Sequence, residues 1–322
     1  MRVFVAGATG AVGRELVPAL IAAGHTVAGL TRAAAKAEAI KRAGAFTVVA
    51  DVFDAPAIRQ AFVSFQPEIV IHEMTGLSGM TDYTHFDRGF AATNRLRTEG
   101  TDLLLLAARE AGVKRFVAQS FCGWPFARNG GAIKSESEPL DPDPPAEQRR
   151  TLEAIEYLER AVTGSRAPEG VVLRYGSLYG LDTGVLDPAM IEQIRRRRMP
   201  LIGDGGGWWS FLHVKDAASS AVAAIDRAAA GSIYNIADDE PAAVKQWLPA
   251  LAAMLGAKPP LHVPAWIGRL VAGEHMVSMM TQVRAGSNDK AKRELGWRPA
   301  YPSWRTGFAE IARYYLARRS AA

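Results

Sequence analysis

Seven residues near the start of the chain restrict its fold more than any others: Gly7-Ala8-Thr9-Gly10-Ala11-Val12-Gly13. They follow an apolar run, Arg2-Val3-Phe4-Val5-Ala6, and precede an apolar helical pattern through Leu16, Leu20 and Ile21. Glycines at this spacing let the backbone turn tightly and approach a pyrophosphate. The helix start supplies unpaired N–H groups and the positive end of a dipole. A glycine trio alone is weak evidence, but here the strand–loop–helix context that the motif requires is present.

The pattern then repeats. Residues 25–30, 46–50, 68–72, 115–118 and 171–174 read as strands, and 33–42, 54–64, 88–111 and 147–163 as helices. Such alternation predicts crossover units and a doubly wound, mostly parallel sheet of Rossmann type. Uninterrupted apolar strands fit a sheet covered on both faces. Past about residue 176 the segments shorten and prolines and glycines punctuate them. The α/β fold is therefore expected to divide into a dinucleotide-binding domain, 1–176, and a smaller mixed α/β substrate lobe, 177–322, with the sheet continuing between them.

Composition excludes several classes. With 322 residues, 48% hydrophobic and 22% charged, the chain is neither disordered nor membrane-spanning. The single cysteine, Cys122, excludes a disulfide scaffold or a cysteine-built metal site, and no metal is expected. The net charge of +5 comes from residues 191–322, most densely at Arg195–Arg198. That quartet lacks stacking aromatics and reads as a solvated helix end rather than a nucleic-acid patch. A soluble, cytoplasmic protein without nucleic-acid or membrane partners is expected.

The second strand ends without the acidic residue that commonly holds a ribose 2′-hydroxyl. It has Arg32, with Lys36 one turn on and Arg14 after the loop. NADP(H) is accordingly expected over NAD(H). Asp51-Val52, at the end of the third strand, is placed to meet an adenine.

These motifs resemble those of the extended short-chain dehydrogenases/reductases of the NAD(P)-dependent epimerase/dehydratase type. The likeness also runs through Val70-Ile71-His72, Glu99-Gly100-Thr101, Leu173-Arg174-Tyr175-Gly176, Leu212-His213-Val214-Lys215-Asp216 and Lys292–Pro299. It implies that Gly7, Thr9, Gly10, Ala11, Val12, Gly13, Arg32, Lys36, Asp51, Val52, Met74 and Thr75 hold the nucleotide. It also implies a small-molecule substrate between the lobes, and it admits a homodimer through helices 88–111 and 147–163.

The departures are at the chemistry. The resemblance implies a Tyr followed four residues later by a Lys at the start of the 147–163 helix, but residues 146–153 hold neither. Arg150 offers charge but no transferable proton. The family's strand-end hydroxyl is represented by Ser120, and Phe121 stands at the following position, where many relatives carry the working hydroxyl. Arg97 replaces the family's helix Asn. Ser120 and Tyr175 are the candidate catalytic residues; Lys134, Arg128, His72, His213 and the stretch Asp82-Tyr83-His85 are weaker ones. Phe121, Trp124, Trp208 and Trp209 are expected to wall the substrate site, favouring an apolar or aromatic compound over a nucleotide sugar. Two functions stay open: a hydride-transferring enzyme on a small carbonyl or hydroxy compound, or a nucleotide-binding protein without net redox turnover.

Overall fold

The structure is a computed structural model that describes residues 1–77, 86–181, 183–184 and 186–320, apart from the side chains of residues 319 and 320. Its frame alternates β1 (Arg2–Ala6), α1 (Gly13–Ala22), β2 (Thr26–Thr31), α2 (Ala34–Arg42), β3 (Phe46–Val49), α3 (Ala55–Phe65) and β4 (Ile69–His72). It continues with α4 (Thr101–Glu110), β5 (Arg115–Phe121), α5 (Arg149–Thr163), β6 (Glu169–Tyr175), α6 (Val214–Arg227) and β7 (Ile233–Ile236). The seven strands form one parallel sheet in the order β7-β6-β5-β4-β1-β2-β3. The order reverses beside β1, which opens a crevice at the carboxyl ends of β1 and β4.

Residue alternation along the strands explains why both faces are covered. Val3, Val5, Ile71, Val117, Leu173 and Tyr175 pack toward α1 and α6 through Leu16, Leu20, Ala217, Ala221 and Ala224. Phe4, Val70, Phe116, Ala118 and Val172 face the other way, against α3, α4 and α5 through Ile58, Phe62, Leu104, Leu158 and Val162. Successive side chains point to opposite faces, so a strand apolar at every position has to be buried on both.

After Tyr175 the chain leaves the large sheet. It starts a smaller lobe with Tyr179 and Phe211, returns to the sheet through α6 and β7, and then completes that lobe's core with Trp247, Trp304 and Phe308. In place of one helix over 88–111, the structure has short helices Phe86–Gly89 and Ala91–Arg95, a π-turn Leu96–Gly100, and then α4. Arg195–Arg198 starts at the last residue of the helix Pro188–Arg195, with Arg196 paired to Glu192. Among the described residues, no helix is long and apolar enough to cross a membrane.

Candidate active site

The glycine loop opens the crevice. Gly7 has φ +99°, and a Cβ there would lie 2.7 Å from the backbone of Glu73, so the loop touches the end of β4 directly. A Cβ on Gly13 would lie 2.2 Å from the Gly7 carbonyl oxygen. The third glycine thus lets α1 start against the loop. The Gly10 N–H donates to Gly7 O at 3.0 Å and closes the turn. Val12 is the N-cap and gives no side-chain cap, so no side chain competes for the first helical N–H groups. A cradle lined by backbone, with no room for a Cβ and an uncapped helix start, fits a dinucleotide pyrophosphate.

Around it lie the other residues expected to bind nucleotide. Arg32 and Lys36 are exposed past β2, with no ion pair among the described residues. Buried Thr31 accepts from the Ala33 N–H at 3.3 Å and fixes that turn. Exposed Asp51 accepts from the Phe53 N–H, and Val52 is buried beneath it. Met74 and Thr75 are half-buried just beyond Glu73.

His72 is structural. Its Nδ1 accepts from the Met74 N–H at 3.2 Å, and its Nε2 donates to Leu96 O at 3.3 Å. Burial pulls its pKa down to about 4, so the ring is neutral. His213 likewise caps α6, accepting from the Lys215 N–H, and stacks on Tyr301.

Both hydroxyls expected to meet substrate are turned inward. Tyr175 is fully buried and donates to Glu73 Oε1 at 2.9 Å. Burial pushes the Glu73 carboxyl up to about 8, and Oε2 has no hydrogen-bond partner among the described residues. Ser120 is buried and donates to Glu159 Oε1 at 2.7 Å. Arg174 grips the same carboxylate through two bonds, at 2.8 and 2.6 Å. Glu73 and Glu159 are the partners that sequence reasoning missed.

The buried face of α5 consists of Thr151, Leu152, Ala154, Ile155, Leu158, Glu159 and Val162, without a Tyr or a Lys. Tyr157 lies on the outer side and donates to Asp102, and Arg150 is exposed. Asp87 caps the helix, accepting from the Arg150 and Thr151 N–H groups and the Thr151 hydroxyl. Arg97 is buried in the π-turn.

An aromatic wall faces this helix. Trp124 meets Phe86 edge-on at 5.3 Å and lies 6.4 Å from Phe121, and Phe86 stacks on Phe90 at 4.3 Å. Phe121, Phe90, Trp209 and Met279 pack against the cluster of Phe86, Trp124, Leu152, Ile155 and Val283. Trp209 also meets Trp247 at 5.1 Å and donates to Met279 O, so it joins this wall to the lobe's core. Trp208 is half-buried on the short strand Trp208–Trp209, paired with Ala242–Ala243. Arg128 is spent on Asp141 and Gln148, and Lys134 on Glu138. Asp82, Tyr83 and His85 lie outside the described residues. Burial pushes the Cys122 thiol up to about 12, which leaves it unreactive.

Comparison with known proteins agrees with this geometry. Residues 3–237 match the model of the NAD dependent epimerase/dehydratase family. The chain is 43% identical over 309 residues to a 3-diazoavenalumate denitrifying reductase of a Streptomyces species, covering 95% of this chain and 99% of the relative. It is 27% identical to a 4-hydroxy-2-methyl-3-oxo-4-farnesyl-3,4-dihydroquinoline-1-oxide ketoreductase of Stigmatella aurantiaca, covering 92% of each. In fold it resembles the dTDP-glucose 4,6-dehydratase of Streptomyces venezuelae, solved with NAD and TYD bound, at a TM-score of 0.76 and 22% identity, covering 99% and 98% of the two chains. The chain belongs to the NAD-dependent epimerase/dehydratase family.

Proposed function

We propose that this enzyme is an NADP(H)-dependent reductase of a small aromatic compound, and that the group it removes is an arene diazo group. One observation carries the reading: the nucleotide cradle is complete, while the buried face of α5 offers neither a phenol nor an ammonium.

Reducing a ketone creates an alkoxide, which needs a placed proton donor. Replacing a diazonium group needs none. The net change is ArN2+ plus hydride giving ArH plus N2: the C–N bond breaks, a C–H bond forms, and the hydride cancels the positive charge. The bound nicotinamide would supply that hydride and leave oxidised. The 43% identical relative is named for a diazo substrate and denitrifying reduction, and it points the same way. In this reading the protein holds and orients.

Gly7, Thr9, Gly10, Ala11, Val12 and Gly13 hold the pyrophosphate. Arg32 and Lys36 hold a 2′-phosphate, Asp51 and Val52 the adenine end, and Met74 and Thr75 the strand-end portion. Phe121, Trp124 and the Trp208–Trp209 strand wall an aryl ring and exclude water. Ser120 and Tyr175, committed to buried carboxyls, hold the floor of the site rather than pass protons.

The test is a competition between an arenediazonium salt and the matching aryl aldehyde and ketone, using NADPH deuterated at the transferable position. The expected result is NADPH loss only with the diazonium, one N2 per NADPH, and deuterium in the arene. Carbonyl reduction with the diazonium untouched would establish a ketoreductase instead. Tight NADPH binding with no oxidation by any of them would establish the non-redox reading.

A further inference from the structure

The π-turn Leu96–Gly100 carries a buried cation with no ion-pair partner among the described residues. Arg97 is 7% exposed, and among the described residues its hydrogen bond is a 3.4 Å contact from Nη1 to Asn94 Oδ1. Glu159 is the carboxylate whose field reaches it. That group already gives both oxygens to Arg174 and one to Ser120. The cluster therefore sets two guanidinium ions against one carboxylate; His72 is neutral, and the Asp87 carboxylate, linked to Arg97 only through Asn94 and Thr151, accepts from the Arg150 and Thr151 N–H groups and the Thr151 hydroxyl. Burial pulls the Arg97 guanidinium only to about 10, so it stays charged at neutral pH. A buried, unpaired charge is among the most costly features a fold can carry, unless a ligand supplies the counter-charge.

Its neighbours tie it to the loop after β4 and to the start of α5. One turn before it, Thr93 accepts from the Gly76 N–H of the loop leaving β4. Asn94 donates to Thr151 at the start of α5. Arg97 thus sits where the carboxyl end of β4 meets α5. Its guanidinium carbon is 6.0 Å from the ring centroid of Phe90, which packs against the aromatic wall with Phe121 and Trp124.

We propose that Arg97 binds an oxyanion of the aromatic substrate, a carboxylate or a phenolate, with the ring held against the Phe90–Trp124 wall. The inference rests on the reading of the site as one for an aryl substrate, but not on the diazo chemistry. Its test therefore uses unreactive ligands.

The full chain, saturated with NADP+, is titrated calorimetrically with cinnamate, cinnamamide and para-nitrophenolate. Wild type should bind at least one oxyanion about tenfold to a hundredfold tighter than the amide, the range expected for a charge-assisted bond. Arg97→Gln should erase that preference, Arg97→Lys should keep part of it, and NADP+ affinity should stay unchanged in both. Loss confined to cinnamate identifies a carboxylate; loss confined to para-nitrophenolate identifies a phenolate. The proposal is overturned if wild type does not prefer either oxyanion, if Arg97→Gln keeps the preference, or if the substitution weakens NADP+ instead. Should Arg97→Gln fail to fold, the wild-type ligand series and Arg97→Lys decide.

Discussion

The Tyr175 hydroxyl donates to Glu73 Oε1 across 102 residues of sequence, and the other carboxyl oxygen has no partner among the described residues. Burial raises the Glu73 pKa from 4.5 to about 8. Between those values the folded chain keeps a proton that the unfolded chain has released. Stability must therefore fall as pH rises through the window, by up to ~1.4 kcal/mol per unit. Glu73→Gln removes the titration and keeps an acceptor for Tyr175. Its melting temperature should exceed that of wild type by a margin that widens from about pH 5 to about pH 8. A margin independent of pH would refute the assignment.

Glu159 is the one anion gripped by Arg174, Ser120 and the field of Arg97. Glu159→Ala leaves two buried guanidinium groups without it and should cost about 3–5 kcal/mol in urea unfolding. Replacing the exposed partner of a surface pair, as in Arg59→Ala opposite Glu110, should cost less than about 1 kcal/mol. Equal losses in the two variants would show that the buried cluster does not depend on its carboxylate.

Much of this frame is legible in sequence because parallel strands buried on both faces are apolar throughout, as Val3 to Ala6 and Ile69 to Ile71 are. The loop at Gly7–Gly13 is legible because its neighbours announce strand and helix. The interruption of the 88–111 helix is not, since a π-turn changes the hydrogen-bond pattern without requiring a breaker residue. Glu73 was missed because it follows an apolar strand as any turn residue would, and its partner comes from β6. Glu159 did leave a signal: it is an acid between Leu158 and Val162, on the same helix face as Ile155. Periodicity marks such a position as buried but does not say that Arg174 and Ser120 arrive there from two different strands.

Arg32 and Lys36 stand exposed past β2 with no acid among the described residues to pair with either. If they hold a 2′-phosphate, Arg32→Ala with Lys36→Ala should raise KM for NADPH about tenfold or more and leave KM for NADH within a factor of about two, since only one nucleotide carries the group they bind. A parallel rise for both nucleotides would mean that the pair acts through the shape of the turn rather than through charge.

The Gly13 Cα faces the Gly7 carbonyl so closely that a methyl group would sit 2.2 Å from its oxygen. Neither atom belongs to a flexible side chain, so Gly13→Ala must push the loop and α1 apart. The loop also abuts Glu73 at the end of β4, which blocks retreat on that side. The displacement should therefore widen the cradle itself. NADP+ affinity should fall at least tenfold, together with a lower melting temperature. Gly24→Ala is the contrasting comparison: its φ of +83° disfavours a side chain, which the backbone at Gly13 does not, but no atom lies within 4 Å of the added Cβ. It should cost about 1 kcal/mol in stability and leave nucleotide affinity unchanged. If the two variants bind NADP+ alike, close packing at the third glycine is not what shapes the nucleotide site.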